Sequence, residues 1–168
     1  MTLPFTVILS TEGPPEAIAR ALHIVASQMA VAWELILVGP DNPEAALERA
    51  GLSHLPVRSV SCTTRFPGRQ WNAGIRIARG DNIALLDSAT EWPADFLQQA
   101  ARTMNEAPDE DVFYAPVRIL EASGGVLTPV ESKRLPCGWI LDELFEEPWI
   151  VPTAAVFRRN VWERHGGF

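Results

Sequence analysis

Three pieces decide the fold: Phe5-Thr6-Val7-Ile8-Leu9, then Ser10-Thr11-Glu12-Gly13-Pro14-Pro15, then Trp33-Glu34-Leu35-Ile36-Leu37-Val38. The first and third are short, apolar and β-rich, the pattern of a strand covered on both faces. The middle piece stops the first strand. Its prolines suit the start of a helix, because the first helical positions have no intrahelical use for an N–H. Ile18, Ala21, Leu22 and Val25 then fall on one helical face. A strand, a helix and a second buried strand in this order predict a crossover between parallel strands.

The same alternation continues outward. Gly39-Pro40-Asp41-Asn42-Pro43 is a loop rich in turn residues. A short helix is expected from Pro43 to Glu48 and a brief strand from Val57 to Val60. A helix over 68–79 stops near Gly80, and Asn82 to Asp87 reads as a buried strand ending in a carboxylate. Pro93 opens a helix whose stripe is Phe96, Leu97, Ala100, Ala101 and Met104. Asp111 to Pro116 reads as a strand. Val117 to Leu120 and Val126 to Val130 flank Ser123-Gly124-Gly125 as a hairpin. A helix over 138–147, a strand over Thr153 to Phe157 and a last helix, capped by Asn160 and ended by Gly166, complete the chain.

This order predicts a single α/β domain over residues 1–168, a three-layer, Rossmann-like sandwich with a mostly parallel central sheet. Ligands of such sheets bind at the carboxyl ends of the strands. Ser10 to Gly13, Gly39 to Asn42 and Asp87 to Thr90 are therefore expected to converge on one crevice.

Composition narrows the function. The 168 residues are 47% hydrophobic and 21% charged, ordinary for a globular domain. Lys and Arg total 14 against 21 Asp and Glu, a net charge of −7. An acidic chain with no basic stretch is a poor partner for nucleic acid or anionic membranes, which require positive charge to meet phosphate. No apolar run approaches the roughly 20 residues of a membrane span. The start, Met1-Thr2-Leu3-Pro4-Phe5, has no basic region of a signal peptide, so a cytoplasmic location is expected. Cys62 and Cys137 form no CxxC pair and read as reduced thiols, and His23, His54 and His165 have no zinc spacing. GxGxxG does not follow the first strand and GxxxxGK[ST] is absent, which weighs against a dinucleotide dehydrogenase or an ATPase.

At Phe5 to Gly13, Trp33 to Val38, Asn72-Ala73-Gly74 through Gly80, Ile83 to Asp87 and Phe157 to Phe168, the chain resembles the inverting glycosyltransferases of family 2, with the GT-A fold. The resemblance implies a crevice for a nucleotide-diphosphate sugar, transferred to an acceptor hydroxyl that these residues do not identify. It also implies an Asp-x-Asp loop holding Mg²⁺ or Mn²⁺ against the diphosphate, and a carboxylate base for the acceptor.

Carried over by position, Thr11, Glu12, Asp41, Asn72, Asp87 and Ser88 are the candidate nucleotide-sugar contacts. Thr11 reads equally as a helix cap, and Asp41 as a turn residue. Asp87 matches the first Asp of the metal loop, but Ala89 and Thr90 stand where the next carboxylates would be. That leaves Asp87, helped by Glu91, as the candidate metal ligand. Gly39 or Pro40 occupies the place of the base-recognising Asp. Trp71 replaces the Arg that precedes Asn72-Ala73-Gly74, whose small residues suit close packing of helix on sheet. Arg65 and Arg69 are placed to meet phosphate or to be solvated loop charges. Trp71, Trp92, Trp139 and Trp149 are available for stacking or for the core. The acidic group Asp142, Glu143, Glu146 and Glu147 lies upstream of where the base belongs and reads as a solvated helix face. No base is identified, and Gly166-Gly167-Phe168 reads as a cut through a larger fold.

Two functions follow from these residues: a family-2 glycosyltransferase or its N-terminal part, and a catalytically degenerate module of the same fold that binds or scaffolds. A nucleotidyltransferase is more remote, since its glycine- and lysine-rich opening loop is missing.

Overall fold

A computed structural model describes residues 5–28, 31–40, 42–121, 126–128, 135–146 and 150–168. The elements run β1 (Phe5–Ser10), α1 (Pro15–Ala26), β2 (Trp33–Gly39), α2 (Ala45–Ala50), β3 (Val57–Ser61), α3 (Pro67–Ile75), β4 (Asn82–Leu86) and α4 (Phe96–Glu106). Then come β5 (Val112–Tyr114), β6 (Ile119–Leu120), β7 (Val126–Thr128), α5 (Leu141–Glu146), a 3₁₀ turn (Pro152–Ala154), β8 (Ala155–Arg158) and α6 (Arg159–His165).

The main sheet has the order β3-β2-β1-β4-β8-β5. β1 pairs in parallel with both β2 and β4, β2 pairs in parallel with β3, and β8 lies antiparallel between β4 and β5. The predicted mostly parallel sheet is thus present. β6 and β7 form the expected hairpin, whose Ser123-Gly124-Gly125 turn lies outside the described residues.

Alternation along β1 explains the three layers. Phe5, Val7 and Leu9 join Leu35, Leu37, Ala84 and Leu86 in a core covered by Ile18, Leu22 and Val25 of α1, Leu47 of α2 and Phe96 and Leu97 of α4. Ile8 joins Ile36, Val38, Ile83 and Leu85 on the opposite face, under Ile75 of α3, with Trp162 of α6 packed alongside. A Cβ at Gly74 would come 2.7 Å from Ile8 Cγ2, so α3 rests directly on the sheet as the small residues predict.

The remaining residues of β1 on the α3 face are polar, and Thr6 is fully buried. It sits opposite Glu34 in the β1–β2 register. The Thr6 hydroxyl donates to Glu34 Oε1 (2.7 Å) and accepts from the Gly80 amide (2.9 Å). Glu34 Oε1 also accepts the Arg79 amide, and Arg58 of β3 reaches Glu34 Oε2 (3.3 Å). One carboxylate thereby joins β1, β2, β3 and the turn into β4, at the sheet end opposite the expected crevice. A Cβ at Gly80 would lie 2.6 Å from the backbone of Phe5 and Thr6, so this turn passes against β1 only as glycine.

Several boundaries differ from the sequence reading for physical reasons. α3 ends at Ile75 rather than near Gly80, because the amides of Arg79 and Gly80 are turned to Glu34 and Thr6 instead of a helical carbonyl. Asn160 does not cap α6. The cap position is Arg158, with no side-chain cap bond, and Asn160 lies inside the helix. Gly166 does end it, at φ 87. Gly138, at φ 80, lies ahead of α5, which spans only Leu141–Glu146.

Burial pushes the Glu34 carboxyl up, but the Thr6 hydroxyl, the Arg79 amide and Arg58 outweigh it and hold it below its ordinary value of 4.5. A carboxyl depressed on folding stabilises the native state above its unfolded pKa, and that stability is lost as pH falls through the folded pKa. Chemical denaturation of Glu34→Gln at pH 7 should show a loss of about 1.5–3 kcal/mol, the range for hydrogen bonds to a charged group. The gap between wild type and variant should narrow as the pH is lowered beneath 4.5.

Candidate nucleotide site

The carboxyl ends of β1, β2 and β3 surround a cleft of ≈ 510 Å³, lined by Thr11, Glu12, Gly13, Pro40, Thr63 and Arg65. Its floor continues the sheet. The Thr11 amide donates to the Val38 carbonyl (2.8 Å), and the Cys62 amide to the Gly39 carbonyl (2.8 Å). The Thr11 hydroxyl lies 3.4 Å from the same Val38 carbonyl. A Cβ at Gly39 would come 2.0 Å from Thr11 Oγ1, so glycine here is what lets the Thr11 side chain stand beside β2. Thr11 does not cap α1, whose cap position is Pro14 with no side-chain cap bond.

Gln70, fully buried on α3, fixes the third wall. Its Oε1 accepts from the Ser10 hydroxyl (2.7 Å), and its Nε2 donates to the Thr64 carbonyl (2.8 Å). The loop carrying Thr63 and Arg65 is thus tied to the end of β1. Ser10 Oγ in turn accepts the Glu12 amide at 3.3 Å. Gln70 and Thr63 were missed at the sequence level. The strand-end rule that picked out the other loops applies equally to the end of β3, and would have found Thr63 beside Arg65.

The six expected contacts separate in space. Thr11 and Glu12 line the cleft. Ser88 stands behind it, its hydroxyl donating to the Glu12 carbonyl (3.0 Å). Gly13, at φ 127, would place a Cβ 2.3 Å from Ser88 Oγ. Asp87 is engaged locally: its Oδ1 accepts the Ala89 amide (2.9 Å) and the Thr90 hydroxyl (2.8 Å). Thr90 Oγ1 lies 2.8 Å from Thr153 Oγ1, and Trp92 Nε1 donates to the Thr153 carbonyl at 2.6 Å. Asp41 lies outside the described residues.

Asn72 faces the chain's end rather than the cleft. Its Nδ2 donates to the Phe168 carbonyl (2.8 Å), while its Oδ1 accepts from Trp162 Nε1 (2.8 Å) and the Phe168 amide (3.1 Å). A Cβ at Gly167 would come 2.5 Å from Asn72 Oδ1, and one at Gly68 would come 2.9 Å from Phe168 Cβ. The Phe168 ring meets Trp71 edge-on at 5.4 Å and Phe157 at 6.0 Å. The Asn72-Ala73-Gly74 and Gly166-Gly167-Phe168 stretches are therefore two halves of one latch.

The tryptophans and acidic residues are placed as follows. Trp92 is buried and stacked on Phe96 at 4.6 Å, Trp71 packs on Phe168, and Trp139 is exposed. Arg69 lies over the Phe66 ring at 5.5 Å, whereas Arg65 faces the cleft. Asp142, Glu143 and Glu146 are exposed on α5, while Glu147 and Trp149 lie outside the described residues. Cys62 and Cys137 are both free.

A divalent ion of the Mg²⁺ or Mn²⁺ type takes about six oxygen ligands, usually including carboxylates. The residues at the Asp87 loop do not fit one. Asp87 Oδ1 already accepts two hydrogen bonds, Ala89 offers a methyl group, and Glu91 turns to Arg20 (3.8 Å). Among the described residues no three His, Cys, Asp or Glu side chains gather as a metal site.

This architecture is the GT-A glycosyltransferase fold. S. aureus TarS 1-349 in complex with UDP superposes with TM-score 0.74 at 20% identity, over 96% of this chain and 48% of that one. The same protein in complex with UDP-GlcNAc gives 0.74 at 20%, over 96% and 47%. Mannosyltransferase PcManGT from Pyrobaculum calidifontis, in complex with GDP-Man and Mn²⁺, gives 0.69 at 19%, over 100% and 48%. The chain spans about half the length of these structures. No curated protein sequence matches it. The model of glycosyl transferase family 2 matches residues 6–165, and the chain belongs to that family. No helix of the described residues is long and apolar enough to cross a membrane.

Asn72→Ala removes two hydrogen bonds to Phe168 and one to Trp162 of α6, and should cost about 2 kcal/mol or more. Hydrogen exchange should show faster exchange of the Gly166 to Phe168 amides, with the β1 and β2 amides still protected.

Proposed function

We propose that this domain binds the nucleotide part of a nucleotide-diphosphate sugar in the cleft at the ends of β1, β2 and β3, and that it serves transfer of that sugar to an acceptor hydroxyl. The observation that carries the reading is the convergence of Thr11, Glu12, Thr63 and Arg65 around one cleft at the carboxyl end of a parallel sheet. Family membership supports transfer as the chemistry. The UDP, UDP-GlcNAc and GDP-Man complexes of similar folds support the ligand class.

In this reading the chain's residues hold rather than react. The Thr11 and Thr63 hydroxyls and the Glu12 carboxylate meet base or ribose hydrogen-bonding groups. Ser88 and Gly13 keep the Glu12 backbone in place, and Asp87 shapes the turn behind them. Asp41, at the β2 end, is retained as a proposed contact, whereas Asn72 is assigned to the latch.

A second reading is favoured by Ala89, Thr90 and Gly39, which replace carboxylates of the family pattern: a catalytically degenerate domain that binds or scaffolds. Sugar transfer or donor hydrolysis by the unmodified chain would remove it. If adding carboxylates with Ala89→Asp and Thr90→Asp produces no metal-dependent nucleotide binding, it gains.

Titration calorimetry with UDP- and GDP-sugars in Mn²⁺ buffer tests the main proposal. At least one nucleotide should bind, and Thr11→Val should weaken it by roughly 5–10-fold, the loss of about one hydrogen bond. No heat or saturation with any of them would sink the reading.

A further inference from the structure

The family pattern and the donor set disagree at the Asp87 loop, and the cleft offers a different cation. Among the described residues lining it, Arg65 is the only positively charged side chain. It is exposed and makes no ion pair with a described carboxylate, whereas its neighbour Arg69 lies over Phe66. Its loop is held from behind by Gln70 through the Thr64 carbonyl, so the guanidinium extends from a backbone tied to β1.

A diphosphate brought near Asp87 and Glu12 without a cation meets only like charge. At the Arg65 side of the cleft it meets a permanently charged planar donor, which pairs with two phosphate oxygens at once. We infer that Arg65, and not a bound divalent ion, neutralises the diphosphate in this cleft, so that nucleotide binding here is metal-independent. The inference rests on the proposed nucleotide site and specifies its charge chemistry. The whole-chain charge of −7 makes the local cation more consequential, because no other described residue lining the cleft offsets the field an anionic ligand meets.

The test uses the full chain and four ligand conditions: UDP and GDP, each in EDTA and in Mn²⁺. Affinity should agree within about twofold between EDTA and Mn²⁺. Arg65→Ala should weaken nucleoside diphosphate binding roughly 10–100-fold, the range for a charge-assisted hydrogen bond. The same variant should leave uridine or guanosine binding within about twofold, since the nucleosides carry no phosphate. Arg69→Ala should leave diphosphate affinity unchanged. The melting temperature of Arg65→Ala should match wild type, which separates a lost contact from a lost fold.

Binding seen only with Mn²⁺, or an Arg65→Ala variant that binds diphosphates as wild type does, overturns the inference while leaving the nucleotide site standing. Absence of binding in every condition overturns the site itself, and the inference with it.

Discussion

Strand β1 has neither a free face nor a free edge. It is hydrogen-bonded to β2 on one side and β4 on the other, and all six of its residues are buried. A backbone so enclosed meets solvent only where it stops. At the amino end, Thr6 is committed to Glu34 and Gly80. The carboxyl end, Ser10 to Gly13, is the only one left to face a ligand, and the β2 and β3 loops must assemble around it. Gln70 makes that assembly definite by spanning from Ser10 to Thr64. The cleft is a consequence of central strand placement, reinforced by one buried amide.

Two of the stretches that resemble the family do mechanical work. Asn72 and Phe168 lie 96 residues apart in sequence and close on each other through the Asn72 amide. Gly167 and Gly68 are small because neighbouring atoms occupy the space a Cβ would need. This latch fastens α3 and α6 over the same face of the sheet, where Ile75 and Trp162 pack on one core. It holds the layer from which Gln70 reaches the cleft, while contributing no atom to the cleft lining.

The fold was legible because its signals are local. Uninterrupted apolar strands, a proline-opened helix and the stripe of α4 each sit within a dozen residues, and the structure has all of them. The end of α3 was not legible, since what stops it is a carboxylate from β2 drawing the Arg79 and Gly80 amides out of helical register. At the site, the substitution of Ala89 and Thr90 for carboxylates could be read directly from position. The role of Asn72 could not, because an Asn side chain serves a ligand and a distant backbone equally well, and only the folded chain shows which is near. Arg65 and Arg69 were both visible as charges for phosphate or for solvent, but that Arg65 lines the cleft depends on a loop held by the hydrogen bond from Gln70 to the Thr64 carbonyl.

A nucleotide bound among the β1, β2 and β3 ends would sit away from the Asn72 latch. Backbone amide NMR of the ¹⁵N-labelled chain, titrated with UDP, tests this placement. Shifts should centre on Thr11, Glu12, Gly13, Thr63 and Arg65, with the Gly166, Gly167 and Phe168 amides unmoved. Shifts centred on Gly166 to Phe168, with Thr11 to Gly13 silent, would contradict it.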